Sequence, residues 1–259
     1  MSTRGVRIID LSVPLMNHSL YEVVPPSILY FDHAAAARRQ FRANQIRPED
    51  FGAGGGFADE IVTANTHCGT HIDAPYHYGP RTGDRPARTI DQVPLEWCYG
   101  DGLRLDFRHK KTGELITRAD VEEALATIAH TIKPGDIVLI WTGVSARLGR
   151  EPDFWELHPG MSVEATEWLV DQGVKMLGMD AWGWDRPYHN MFEAYRAGER
   201  DALWPSLMMG RRKEFLLLLK LAQLEQLPGP TGFKVAAFPF KLEHGSSGWV
   251  RAVAIVEER

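Results

Sequence analysis

The stretch His67-Cys-Gly-Thr-His71-Ile-Asp73-Ala-Pro75-Tyr-His77 constrains this chain more than any other. It places three of the chain's ten histidines and one aspartate within eleven residues. On a strand, residues 67, 71 and 73 share one face, because side chains alternate with a period of two. A helix would pair His67 with His71 but set Asp73 two steps of about 100° away from that face. Gly69 and Pro75 also oppose a helix. Two imidazoles and a carboxylate on one face suit a divalent metal. Pro75 cannot continue a central strand, so the chain is expected to turn there and carry His77 back over the metal. A plain turn would account for Asp73 and Pro75, but not for the histidine spacing.

Composition narrows the function classes. The 259 residues suffice for one substantial core or at most two small domains. With 44% hydrophobic and 24% charged residues, the chain reads as globular and not disordered. A net charge of −5 leaves no basic footprint for nucleic acid. No apolar run reaches the length of a membrane span; Leu216 to Leu219 is the densest, and charged residues bracket it. The N-terminus lacks a basic, apolar, small-residue leader, so a cytoplasmic location is expected. Cys68 and Cys98 offer no disulfide framework. On a strand Cys68 would face away from the metal, so it reads as packing and not as a ligand or nucleophile.

Val6 to Ser12 reads as a first strand, and residues 33–44 as a short helix. Gly52 to Gly56 reads as a loop near the site, since no Lys-Ser/Thr follows to make a phosphate loop. Glu60 to Thr66 should be the strand delivering the ligands. Leu103 to Phe107 reads as a strand, and Thr117-Arg-Ala-Asp120 as a capped helix start. Asp136 to Trp141 and Val174 to Met179 read as buried strands. Between them Ser162 caps a helix through Val170, with Gly173 past its end. Residues 234–242 and 249–256 close the chain as strands. No linker or repeat divides the pattern, which predicts one α/β domain over 1–259. Asp180-Ala-Trp182-Gly-Trp184-Asp185 follows a buried strand, where ligand sites often lie. Its tryptophans, with Tyr188, suit either an aromatic substrate wall or ordinary core packing. Asp180 suits a turn-organising role, and Asp185-Arg186-Pro187 looks exposed.

The eleven-residue stretch resembles the cyclase family of metal-dependent hydrolases, which includes bacterial kynurenine formamidase and isatin hydrolase. The family pattern His-x-Gly-Thr-His-x-Asp-x-Pro-x-His is complete here. Ile9-Asp10-Leu11-Ser12, Gly178-Met-Asp180 and Gly248-Trp-Val-Arg251-Ala-Val-Ala extend the resemblance along nearly the whole chain. It implies an α/β fold of the swivelling β/β/α type with a mixed sheet, and a homodimer or homotetramer. Many relatives bind a second metal through a histidine and a glutamate twelve residues later. No histidine occurs here between His189 and His244. Aligning on Trp204 and Leu227-Pro228 puts Leu207 and Leu219 at those positions; another register would use Lys213 and Glu225. A leucine pair leaves one metal and a drier pocket.

The resulting expectation is one Zn²⁺ or Mn²⁺ held by His67, His71 and Asp73, with positions left for water and a substrate carbonyl. Such an ion polarises the carbonyl and lowers the pKa of water toward about 7. His77 is the expected general base and acid. Tyr76, Trp182, Trp184, Leu207 and Leu219 are the expected substrate contacts. The expected reaction is hydrolysis of an amide or lactone in a small cyclic or aromatic substrate. Three alternatives stand beside it. Ring closure or dehydration in a biosynthetic pathway would use the same polarisation. Two histidines and a carboxylate also define the non-haem iron oxygenase triad. The chain could also be a non-catalytic small-molecule binder.

Overall fold

The computed structural model describes residues 5–19, 22–41, 45–52, 55–151 and 153–257. Strand β1 (Val6–Asp10) is followed by β2 (Ser27–Phe31), helix α1 (His33–Phe41) and β3 (Asp59–Thr63). The histidine stretch contributes β4 (His71–Asp73) and a one-turn helix, α2 (Pro75–Tyr78). Two short strands, β5 (Arg81–Thr82) and β6 (Arg85–Pro86), lead to β7 (Tyr99–Asp106). Next come β8 (Leu115–Ile116), α3 (Arg118–Thr127), β9 (Ile137–Trp141), β10 (Gly160–Met161), α4 (Val163–Asp171) and β11 (Met176–Met179). Helices α5 (Tyr188–Arg196) and α6 (Pro205–Met209) precede β12 (Leu216–Leu219). The chain closes with β13 (Phe233–Ala236), β14 (Ser247–Trp249) and β15 (Val253–Glu257).

Among the described residues, nine strands form one mixed sheet in the order β1-β15-β13-β7-β9-β11-β12-β4-β14. The middle strands β7, β9, β11 and β12 run parallel. Parallel neighbours need crossover connections, which α3, α4 and the α5–α6 segment supply in turn. Every residue of β9 and β12 is buried, because both faces of the sheet are covered. β4 lies between β12 and β14 and is antiparallel to both. β14 ends the sheet and β15 is next to its other end, yet only residues 250–252 separate them. That link spans at most about 14 Å, so the sheet curls until its two ends approach. Val250 N–H bonds the Thr70 carbonyl on one side, and Leu11 N–H bonds that of Ala252 on the other.

The curl creates two apolar layers. Ile72, Leu139, Met176, Leu216, Leu218 and Val235 fill its inside. Val138, Ile140, Leu177, Leu217 and Leu219 point outward and pack under α3 and α4 through Val121, Leu125, Ala165 and Leu169. The four leucines of β12 thus split two and two by the strand period, each stabilising by about 1.5–3 kcal/mol.

This is the α/β architecture with a mixed sheet that the sequence implied, and the predicted caps are present. Thr117 Oγ1 accepts from Asp120 N–H while Asp120 accepts from Thr117 N–H. Ser162 Oγ accepts from Ala165 N–H at the start of α4. Two closing strands are shorter than expected. β13 stops at Ala236, before Pro239, which has no N–H for a ladder. The stretch 249–256 is split between β14 and β15, where the chain passes from one end of the curl to the other. The helix expected over 33–44 is described to Phe41; residues 42–44, like 53 and 54 of the glycine run, lie outside the described residues.

Candidate metal centre

His71 and Asp73 leave the outer face of β4, while Ile72 between them enters the inner layer. His67 is not on that strand, contrary to the expectation of one continuous ligand strand. β3 stops at Thr63 and pairs only with β2, in a separate two-stranded sheet. Residues 64–70 form an irregular turn instead, with Gly69 at φ +62°, a conformation that glycine adopts without a Cβ penalty. Asn65 Oδ1 accepts from His67 N–H at 2.9 Å and fixes the start of the turn. The turn folds His67 over β4, so that its Nδ1 lies 2.7 Å from Asp73 Oδ1. His71 Nε2 lies 3.3 Å from the same oxygen.

These three ligand atoms fall within 4.8 Å of one another, the only such group among the described residues. Asp73 Oδ1 is buried, and its near neighbours are the two imidazole nitrogens, neither of which meets it in well-aligned hydrogen-bond geometry. Leaving a buried polar atom unpaired costs about 1–3 kcal/mol, more if charged, and a cation at this point would relieve it. His71 Nδ1 lies 2.8 Å from the Gly69 carbonyl, which assigns its proton there and turns the Nε2 lone pair toward Asp73. His67 Nε2 lies 3.4 Å from Ser246 Oγ, leaving Nδ1 for Asp73. Outer hydrogen bonds of this kind orient metal-binding histidines. The donor set therefore fits a divalent metal bound through three protein atoms.

Electrostatics agree with the geometry. Burial pushes the Asp73 carboxyl up, but the charges of His77, His67 and His71 outweigh it and hold the group well below the usual carboxylate range. Burial lowers His71 against the pull of Asp73, which favours the neutral form that can ligate. α2 starts with Pro75, whose missing N–H is no loss in a first turn. That turn brings the His77 ring to 4.2 Å from His67, centroid to centroid. Burial lowers the pKa of His77 as well, with Asp73 opposing. Behind it Tyr78 is buried and stacks on Phe215 at 4.9 Å. Gly210 at the end of α6 closes against the Tyr78 ring, where any Cβ would collide.

A cavity of about 430 Å³ opens above these groups. His67, His71, Asp73 and His77 form one side; Trp155, Trp182, Tyr188 and Trp204 form an aromatic side. Tyr188 meets Trp182 and Trp204 edge-on at 5.2 and 5.6 Å.

Comparison with known proteins supplies the family. The Cyclase family model matches residues 9–186, well over half of the chain. The chain belongs to the Cyclase family. Isatin hydrolase of Roseibium aggregatum is 26% identical over 210 residues, covering 77% of this chain and 75% of that protein. Kynurenine formamidase of Erythrobacter litoralis is 28% identical over 192 residues, covering 74% of each. Among solved structures, isatin hydrolase A from Ralstonia solanacearum superposes with a TM-score of 0.72 at 25% identity, covering 97% of this chain and 92% of that one. With these hydrolases as relatives, this Cyclase-family chain is an enzyme of the hydrolase class.

The other residues singled out in the sequence separate into groups. Trp182, Leu207 and Leu219 border the cavity. Leu219 pairs with His71 across the β12–β4 ladder. Lys213 pairs with Glu167 and Asp171 on α4, and neither it nor Glu225 reaches the cavity lining. Trp184 borders the cavity, but its ring is buried in the outer layer and its Nε1 donates to Thr166 Oγ1 at 2.9 Å. Tyr76 is exposed and absent from the lining, because the α2 turn that presents His77 points its neighbour outward. Asp180 accepts from the N–H groups of Thr142 and Gly143, organising the turn after β9. Asp185 is buried, not exposed; it accepts from the N–H groups of Ser206 and Leu207 at the start of α6. Cys68 is buried with its thiol pKa raised by desolvation, and it donates to the Val24 carbonyl.

Glu22 and Lys220 border the cavity and went unnoticed in the sequence. Lys220 left a signal, as the one charge inside the apolar run 215–222. Glu22 left none, since its segment has no regular structure.

Proposed function

We propose that this enzyme hydrolyses an amide or lactone bond in a small cyclic or aromatic substrate, using one divalent metal. The observation that carries this reading is the convergence of the buried Asp73 oxygen and two imidazole nitrogens within 4.8 Å, facing a cavity with an aromatic side. A Zn²⁺ or Mn²⁺ ion held by His67, His71 and Asp73 would polarise the scissile carbonyl and acidify water. His77 stands beside His67 but outside the ligand group. Its imidazole takes the proton of the attacking water and returns it to the leaving nitrogen or oxygen as the acyl bond breaks. Trp182 and Tyr188 hold a flat ring, and Leu207 and Leu219 take the place of second-metal ligands, which limits the site to one ion. The substrate chemistry follows the two relatives: a formylated aromatic amine or a cyclic amide fused to an aromatic ring. A homodimer or homotetramer in the cytoplasm, without nucleic-acid or membrane partners, completes the proposal. The net charge of −5 supports the absence of nucleic acid, and no described helix is long and apolar enough to cross a membrane.

The test combines metal analysis with a panel of N-formyl anilines, isatin and aromatic lactones. One metal per chain, loss of that metal in His71→Ala, and metal-dependent turnover of a panel member are expected. Two metals per chain would refute the single site. An unchanged metal content in His71→Ala would refute the ligand set.

A further inference from the structure

The turn that carries His67 rests on a buried ion pair that has no part in the reaction just described. Lys220 Nζ lies 2.5 Å from Glu22 Oε2, and both side chains are buried. The same ammonium donates to the His67 carbonyl at 2.8 Å. The other Glu22 oxygen accepts from Gly69 N–H at 2.7 Å. The Lys220 carbonyl accepts from the Thr70 hydroxyl, also at 2.7 Å. Residues 67, 69 and 70 are therefore all fastened to this pair, and Cys68 is fastened to Val24, two residues beyond Glu22.

Lys220 reaches this place through an uncommon backbone conformation. β12 ends at Leu219, and Lys220 adopts φ +56°, held by its N–H to the Ala181 carbonyl at 3.0 Å. On a continuing strand its side chain would leave the face opposite to that of Leu219, but both border the same cavity. Its ammonium also lies 5.2 Å from the centre of the Trp182 ring. A buried ion pair is often no more stabilising than apolar residues of the same volume. Its use here is directional, because the turn presents one carbonyl and one N–H that need a donor and an acceptor at fixed positions.

We propose that Glu22 and Lys220 are positioning residues that set the 67–70 turn so that His67 reaches the metal. Through Glu22 they also tie this turn to the cavity wall at residues 22–24, which couples metal binding to substrate fit. The inference rests on the metal centre proposed above.

The test uses the full-length chain as Lys220→Met, Glu22→Asp and the double variant Glu22→Gln/Lys220→Met, which leaves no charge buried. Glu22→Asp keeps both charges but shortens the reach by one methylene, so it provides a folded variant if the others fail. Zn²⁺ affinity is measured by chelator competition, geometry by the absorption spectrum of the Co²⁺-loaded protein, and folding by melting temperature. Leu125→Ala, in the α3 core, supplies a destabilised baseline with parent-like metal binding. Each folded pair variant is expected to bind Zn²⁺ about 10–100-fold more weakly than the parent and to show a changed Co²⁺ spectrum. The double variant is expected to recover melting temperature relative to Lys220→Met without recovering metal affinity, and to raise KM as well as lower kcat. Parent-like affinity and spectrum in the double variant and in Glu22→Asp would overturn the positioning role alone. A parent that takes up no metal would overturn the metal centre and this inference with it.

Discussion

Leu219 gives the sharpest handle on the proposal that leucines stand where relatives hold a second metal. It is 5% exposed and lies opposite His71 on the neighbouring strand. Leu219→Glu forfeits about 1.5–3 kcal/mol of apolar burial. The new carboxyl adds a desolvation cost, bounded by protonation: staying neutral by a pKa rise of about three units costs about 4 kcal/mol. His71 and Lys220 offer partial pairing, so the total for metal-free protein is roughly 3–6 kcal/mol. For a chain of this size about 2–4 °C is lost per kcal/mol, which predicts a melting temperature lower by roughly 6–24 °C. The double variant Leu207→His/Leu219→Glu supplies a second ligand from α6. Excess Zn²⁺ at about 100 times its Kd would return about 2.7 kcal/mol through that site alone. The assay is calorimetric melting of parent and variants with and without Zn²⁺ or Mn²⁺, alongside metal counting. The metal-induced rise should be larger in the double variant than in the parent, with a second ion bound. If both variants melt like the parent and bind no extra metal, the leucines do not occupy the old metal position.

Other outcomes follow from the same geometry. His77→Ala should keep the parent metal content and lose about 10²–10⁴-fold in turnover; parallel loss of metal would make His77 a ligand. Trp184→Phe should cost about 0.5–1.5 kcal/mol by removing its bond to Thr166 Oγ1, whose hydroxyl still donates to the Ser162 carbonyl, with KM unchanged, whereas Trp182→Ala should raise KM; the reverse pattern would exchange their roles. Burial pushes the Asp185 carboxyl up to about 6 despite its bonds to Ser206 and Leu207. Its unfolded counterpart releases its proton near 3.9, so between those values the native state binds more protons. Its contribution to stability therefore falls as pH rises from about 4 to 6, by about 3 kcal/mol in all. Asp185→Asn should remove that slope from the pH profile of melting; an unchanged slope would show that other groups cause it.

The parts of the fold visible in the sequence were those where local chemistry and tertiary packing agree. The caps at Thr117 and Ser162 and the apolar strands 137–141 and 176–179 belong to this class. The spacing of His67, His71 and Asp73 pointed to their convergence, but for a partly wrong reason. A period-two argument placed His67 on the strand, whereas Gly69 bends the chain to bring it there. Asp185 beside Arg186 and Pro187 reads as surface, yet the N–H groups of α6 give it a buried place. The α2 turn separates His77 from Tyr76, which periodicity alone could not foresee. Glu22 was illegible because its partners lie at residues 69 and 220.

The position of β4 also bears on when the site can exist during synthesis. Its ladder partners are β12 and β14, and Ala74 N–H bonds the Ser246 carbonyl. Both neighbours of a strand completed at residue 73 are thus translated after residue 215. Pairings this distant in sequence form late and slow the folding of a sheet. A ribosome halted at residue 240 would have made every ligand yet lack β14, leaving one edge of β4 unpaired and open to other chains. Truncations that spare the whole histidine stretch should therefore still abolish metal capture, and the last twenty residues control a centre built from the first third of the chain.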